Sequence, residues 1–223
     1  MIVKANTNII SFNEIPKLAK ESQRSVLLVR HSMRESLQNG NYDPGLTTEG
    51  HNYAIECGKL LAQWSDVSCG ASARKRTIDT IKDLLEGGNI DGGNIELVPE
   101  IYDAAMFESE EIFNLSIDNG EIPKLLQIYF ATGNAPGMVN MKLFTNRLLK
   151  RLTSNQGKKN QLLATHDIVI VALLHTLGVH KFVQDDWCGY VQGAFLAQDN
   201  QGNWQVYYAV PDKENRQKYT LFI

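Results

Sequence analysis

The chain has 223 residues, 43% of them hydrophobic and 21% charged, an ordinary globular composition with length for one sizeable core or a domain carrying a large insertion. A net charge of −3 excludes the global basic field that holds nucleic acid, though not a local cationic pocket for a small anion. No apolar run approaches the ~18 residues of a membrane span and residues 1–24 lack the apolar centre of a secretory leader, so no membrane association is expected and the cytoplasm is the expected compartment.

Residues 1–24 read as a polar lead-in with one apolar patch (Ile9, Ile10, Phe12) and a helix over 16–23, opened by Pro16. Val26, Leu27, Leu28 and Val29 form an apolar run with two β-branched members, which predicts a short strand buried on both faces. That strand runs straight into Arg30-His31-Ser32-Met33-Arg34. Two guanidiniums and an imidazole are costly to place at the tip of a buried strand, and ligands of open α/β sheets sit just beyond such tips, so this is a candidate anion site. Residues 39–45 read as a loop from their Gly, Asn and Pro content.

Thr48-Glu49-Gly50 opens a helix with Ala54, Cys57, Leu61 and Trp64 on its apolar face. Val67–Ala71 is a second strand. After a turn at Ser72, residues Ile78, Ile81 and Leu85 mark a second amphipathic helix that stops at Gly87-Gly88. A third strand over 95–98 ends at Pro99. Residues 103–159 show no strand alternation. One helix is predicted around Leu125, Leu126, Ile128, Tyr129 and Phe130, and another along Met141, Phe144, Leu148 and Leu152, with a Gly/Pro break at 133–137. This segment reads as a helical insertion over the sheet, too short for a core of its own.

A fourth strand over 161–165 ends at His166-Asp167. The apolar stretch 168–177 has Asp167 near its start and Gly178 after its end, which favours a buried helix. Residues 193–198 and 204–210 flank Asn200-Gln201-Gly202-Asn203, a hairpin signal. The alternation implies an α/β fold: a three-layer α/β/α sandwich with a mainly parallel central sheet, one domain over 1–223, and a helical insertion (cap) at about 103–159. Cys57, Cys69 and Cys188 are odd in number and form no CxxC pair, so they are expected to be reduced and mostly buried.

Chemistry gathers at the strand ends. Arg30-His31-x-x-Arg34 follows the first core strand, and Asp43-Pro44-x-Leu46-Thr47-x-x-Gly50 opens the first long helix. Ser72-x-x-x-Arg76-Thr77-x-x-Thr80 follows the second strand, Glu100 the third and His166-Asp167 the last. These residues in this order, over roughly 26–210, resemble the histidine phosphatase superfamily, which includes cofactor-dependent phosphoglycerate mutases and histidine acid phosphatases. The resemblance implies a phosphomonoesterase in which His31 attacks phosphorus to form a phosphohistidine, with Arg30, Arg34, Arg76 and His166 holding the phosphoryl group. It calls for no metal and no other cofactor, because three arginines supply the positive charge. Arg suits the task physically, since its planar fork donates two hydrogen bonds at once and keeps its proton.

The proton donor for the leaving group stays open between Asp167, which matches the acid phosphatase branch, and Glu100, which matches the mutase branch, with Asp103 a weaker third. Ser32 stands where the family usually has Gly, and is expected to narrow the pocket or to donate its hydroxyl to phosphate. Ser36 stands where the acid phosphatase branch usually has Pro. Plainer readings exist for each residue: His31 as a hydrogen-bonded core histidine, Asp167 as a helix N-cap, Glu100 as a solvated side chain, and Arg74 or Lys75 in place of Arg76. The expected partner is a small phosphorylated substrate or a phosphoprotein, not nucleic acid. The rival functions are a phosphate-ester-binding regulatory module without turnover and a phosphomutase. Substrate choice is expected to depend on the 103–159 insertion and on Asp185-Asp186-Trp187.

Overall fold

The computed structural model describes residues 2–36, 43–154, 157–183 and 186–214; residues 39–42 of the expected loop, and Asp185, lie outside them. Its strands are β1 (Val3–Ser11), β2 (Arg24–Arg30), β3 (Val67–Ala71), β4 (Ile95–Leu97), β5 (Asn160–Thr165), β6 (Gly193–Gln198) and β7 (Trp204–Val210). Its α-helices are α1 (Ile15–Glu21), α2 (Thr48–Lys59), α3 (Lys75–Gly88), α4 (Glu110–Asp118), α5 (Ile122–Thr132), α6 (Met141–Thr153) and α7 (Asp167–Thr176). The strands form one sheet in the order β1-β7-β6-β2-β5-β3-β4. Only β6 runs against the others, so the sheet is mixed but mostly parallel.

Period-two alternation along β2 explains the three layers. Val26 and Leu28 join one core, with Phe113 of α4, Tyr129 of α5, Phe144 and Leu148 of α6, and Val169 through Leu174 of α7. Leu27 and Val29 join the other, with Ile15 and Ala19 of α1, Cys57 of α2, and Ile81 and Leu84 of α3. A central strand with apolar residues on both faces is what a sheet covered on both sides demands. The three cysteines are free and buried. Among the described residues no helix is long and apolar enough to cross a membrane.

Two expectations are corrected. Residues 3–11 are not a polar lead-in but an edge strand, parallel to β7 from Val3↔Trp204 to Ser11↔Val210 with an irregularity between Ala5 and Ile9. Only Ile10 of β1 is buried, so main-chain pairing at the sheet edge holds the strand and leaves no apolar alternation to read. The 103–159 segment also contains a third helix, α4. Ser109 caps it by accepting a hydrogen bond from Ile112 N at 3.2 Å, and Glu110 and Glu111 occupy its first turn, which is the signal that marks its start in the sequence.

The loop after β2 is pressed against α2. Thr47 caps α2 by accepting from Gly50 N at 2.9 Å, and a Cβ placed on Gly50 lies 2.0 Å from the Met33 carbonyl oxygen. Backbone must move to admit even one methyl there. Gly50→Ala is therefore expected to cost about 1–3 kcal/mol of stability, read as a lowered melting temperature and urea midpoint. An unchanged melt shows that this packing does not constrain the loop.

Candidate active site

Strand register builds the site. Arg30 of β2 lies opposite Thr165 of β5, so the next residues, His31 and His166, leave adjacent strands side by side, with ring centroids 5.5 Å apart. His31 N donates to the Thr165 carbonyl at 2.9 Å, which fixes that tip. From β3, Ser72 leads into α3 and brings Arg76 to the same point.

His31 is buried, and its Nδ1 lies 2.7 Å from the Ser32 carbonyl oxygen. A carbonyl only accepts, so Nδ1 carries the hydrogen and Nε2 keeps a lone pair. Burial, then the Arg76 and Arg30 charges, hold the His31 pKa well below its ordinary 6.5, so the ring is neutral. His166 is set the other way round. Arg76 Nη2 lies 3.3 Å from His166 Nδ1 and can only donate, which puts the imidazole hydrogen on Nε2, 2.9 Å from Ser72 Oγ. Burial and Arg76 also hold His166 well below the ordinary value.

Four arginines line one cavity of about 290 Å³ with His31, Asp103, His166 and Asp167. Arg30 is fixed by Asp167 Oδ2 at 3.3 Å, by the Cys188 carbonyl at 2.7 Å, and by stacking 4.4 Å over the Tyr190 ring. Arg76 lies 3.6 Å from both Asp43 Oδ1 and Asp103 Oδ2. Burial holds its pKa down to about 10, so it stays charged at neutral pH. Arg34 is half-buried and donates to the Glu35 carbonyl at 3.0 Å. The fourth is Arg74. Phe113, Ile117, Ile122, Pro123 and Ile168 add apolar side chains to the lining. Among the described residues no group of three or more His, Cys, Asp or Glu side chains is placed to hold a metal ion. A larger cavity of about 700 Å³ lies by the start of β5, lined by Lys17, Lys20, Trp64 and Lys159 among others, and it contains none of these groups.

The expected donors part company. Glu100 sits in a 3-10 turn (Pro99–Ile101) with its side chain half-exposed, 4.0 Å from Arg151 Nε and outside the cavity. Tyr102 is extended between this turn and a second 3-10 turn (Asp103–Met106), so Asp103 does not continue the face of Glu100: Ile101 enters the core, Asp103 is buried and lines the cavity, and Glu100 faces out. Asp167 lines the cavity, but both of its oxygens are occupied. Oδ2 accepts from Trp187 Nε1 at 3.0 Å and pairs with Arg30, and Oδ1 accepts from Ile168 N at 2.9 Å. Asp103 is buried, its Oδ1 accepts from Ala104 N at 3.0 Å, and its Oδ2 faces Arg76 and His166 at 3.6 Å each. Burial raises the Asp103 pKa against the opposing pull of Arg76 and Arg74.

Ser32 is also corrected. Its hydroxyl donates to the Gly50 carbonyl at 2.7 Å and its amide to Thr80 Oγ1 at 2.9 Å, tying the loop to α2 and α3 rather than turning into the cavity. Sequence reasoning missed Tyr190, which stacks on Arg30, and named Trp187 and the 103–159 insertion only for substrate choice, without the Trp187 bond to Asp167 or the apolar residues that α4 and α5 add to the cavity. No local motif marks these contacts, because each joins segments distant in the chain.

The sequence model of the histidine phosphatase superfamily (branch 1) matches residues 26–184. No curated protein matches the chain. Solved structures share the fold at low identity. A phosphoglycerate mutase from Bacillus anthracis str. Sterne is 17% identical with a TM-score of 0.58, covering 86% of this chain and 95% of its own. A mycobacterial glucosyl-3-phosphoglycerate phosphatase is 15% identical with a TM-score of 0.55, covering 84% and 99%. An alpha-ribazole phosphatase from Shigella flexneri is 16% identical with a TM-score of 0.54, covering 83% and 95%.

Proposed function

The chain belongs to the histidine phosphatase superfamily, branch 1, and on that premise we propose that it hydrolyses phosphomonoesters through a phosphohistidine on His31. The observation that carries this reading is the tautomer of His31. With Nδ1 committed to the Ser32 carbonyl, an unprotonated Nε2 belongs to a neutral ring in a pocket of guanidiniums. A bound phosphoryl group carries about two negative charges near neutral pH, which Arg30, Arg34 and Arg76 offset, and His166 contacts it by the family resemblance.

In the first step Nε2 attacks phosphorus in line, the P–O ester bond breaks, and the leaving oxygen takes its proton from Asp103. In the second step water attacks the phosphohistidine, Asp103 takes back a proton, and the P–N bond breaks to release phosphate and neutral His31. Positive charge for the transition state comes from the arginines, so the reading requires no metal. The cavity volume suits a small phosphorylated substrate better than a folded phosphoprotein.

The test is turnover of phenyl phosphate in the presence of a chelator, with trapping of an acid-labile, alkali-stable phosphoenzyme. Phosphate-ester binding with neither turnover nor label over a broad pH range favours the regulatory-module reading. Transfer of the label to a second alcohol in preference to water favours the mutase. Glu100→Gln is expected to leave kcat/KM within about twofold of wild type, in line with a half-exposed residue away from such features. A large loss in that variant restores Glu100 as the donor.

A further inference from the structure

One cation in the cavity is left over after the phosphoryl group is accommodated. Arg74 precedes α3 and lines the same cavity as Arg34 and Arg76. Among the described residues its side chain makes no hydrogen bond and has no carboxylate within 4.0 Å, whereas Arg30 has Asp167 and Arg76 has Asp43 and Asp103. It is nevertheless held in place. Its guanidinium lies 4.7 Å over the Tyr102 ring, and the Tyr102 hydroxyl donates to Glu110 Oε1 at 3.0 Å, which anchors the platform to α4. A cation–π contact orients a guanidinium while leaving its N–H edge available.

The surplus is one of donors. A phosphoryl group on His31 occupies Arg30, Arg34 and Arg76 and adds nothing that pairs with a fourth arginine. A positioned guanidinium beside such a site matches a carboxylate or a second phosphate, which its fork binds with two parallel hydrogen bonds. Phe113, Ile117, Ile122, Pro123 and Ile168, which line the same cavity, have no side-chain hydrogen-bonding group. A polyhydroxylated leaving group there gives up water and receives nothing in return, whereas an aryl or alkyl body loses nothing.

We propose that Arg74 is a second anion subsite, so that the substrate is a phosphomonoester with an apolar body and a further anionic group. This rests on the reading above only for where the phosphoryl group binds, and the experiment uses no turnover. Benzylphosphonate and 4-(phosphonomethyl)benzoate, stable phosphonates that differ by one carboxylate, are titrated calorimetrically into the full chain and into R74A, R74Q and R74K. The carboxylate is expected to tighten binding to the wild type by about tenfold or more, a preference that disappears in R74A and R74Q and is partly kept in R74K. Benzylphosphonate affinity in each variant reports whether the phosphoryl pocket is intact. Equal binding of the two ligands by the wild type overturns the subsite, as does a preference unchanged in R74A and R74Q. If neither phosphonate binds the wild type, the phosphoryl pocket falls and the subsite with it. Hydrolysis of phenyl phosphate, measured separately, decides the phosphatase reading.

Discussion

His31→Ala is expected to lower kcat for phenyl phosphate by on the order of 10⁴- to 10⁶-fold and to remove the phosphoenzyme entirely, as loss of a nucleophile that acts within a concerted unit does. The size follows from the absence of a substitute. His166 is the only other imidazole in the cavity among the described residues, and its two nitrogens face Arg76 and Ser72. Its ring centroid also lies 5.5 Å from that of His31, so it cannot reach the same line of attack on a phosphoryl group held by the same arginines. Inorganic phosphate is expected still to bind the variant, because Arg30, Arg34 and Arg76 remain and the removed ring is neutral. Full activity in His31→Ala sinks the mechanism. Loss of both activity and phosphate binding shows instead that the ring organises the pocket.

How far the sequence revealed this site depends on the range of the interactions involved. The tips of β2 and β5 were legible because Val26 to Val29 and Leu162 to Ala164 are apolar on both faces and are followed closely by Arg30-His31 and His166-Asp167. Pattern and chemistry coincide there within a few residues. The edge strand β1 was not legible, since a strand held by its main chain with one buried side chain carries no alternation. Which of Glu100 and Asp103 turns inward was not legible, because it depends on the extended Tyr102 that separates their two 3-10 turns, a break that no residue pattern marks. Arg74 was visible as a competitor of Arg76. Its separate place follows from Tyr102, a contact across the fold that no spacing encodes. Ser32 was expected to shape the phosphate pocket because the position follows the nucleophile, but its hydroxyl is spent on Gly50, eighteen residues away.

The proton donor gives the second large effect, and leaving-group chemistry identifies it. Asp103→Asn is expected to lower kcat/KM for an alkyl phosphate by about 10²- to 10⁴-fold, the range of a lost general acid, while 4-nitrophenyl phosphate, whose leaving oxygen needs no proton, loses far less. Asp167→Asn is expected to weaken both substrates alike, because it removes the pairing of Arg30 and the bond to Trp187 rather than a proton. A leaving-group-dependent loss in Asp167→Asn and a uniform one in Asp103→Asn reverse the assignment. The pH profile supplies an independent sign. The Asp103 pKa is raised above its ordinary 3.8, so the acid form persists to higher pH, and kcat/KM for the alkyl phosphate falls as pH rises through the raised value. The Asn variant lacks that limb. The same burial lowers His31 well below 6.5, and in both residues it favours the uncharged form. The two shifts together widen the pH range in which an unprotonated nucleophile and a protonated acid coexist, so that a single pocket can supply a lone pair and a proton to the same bond.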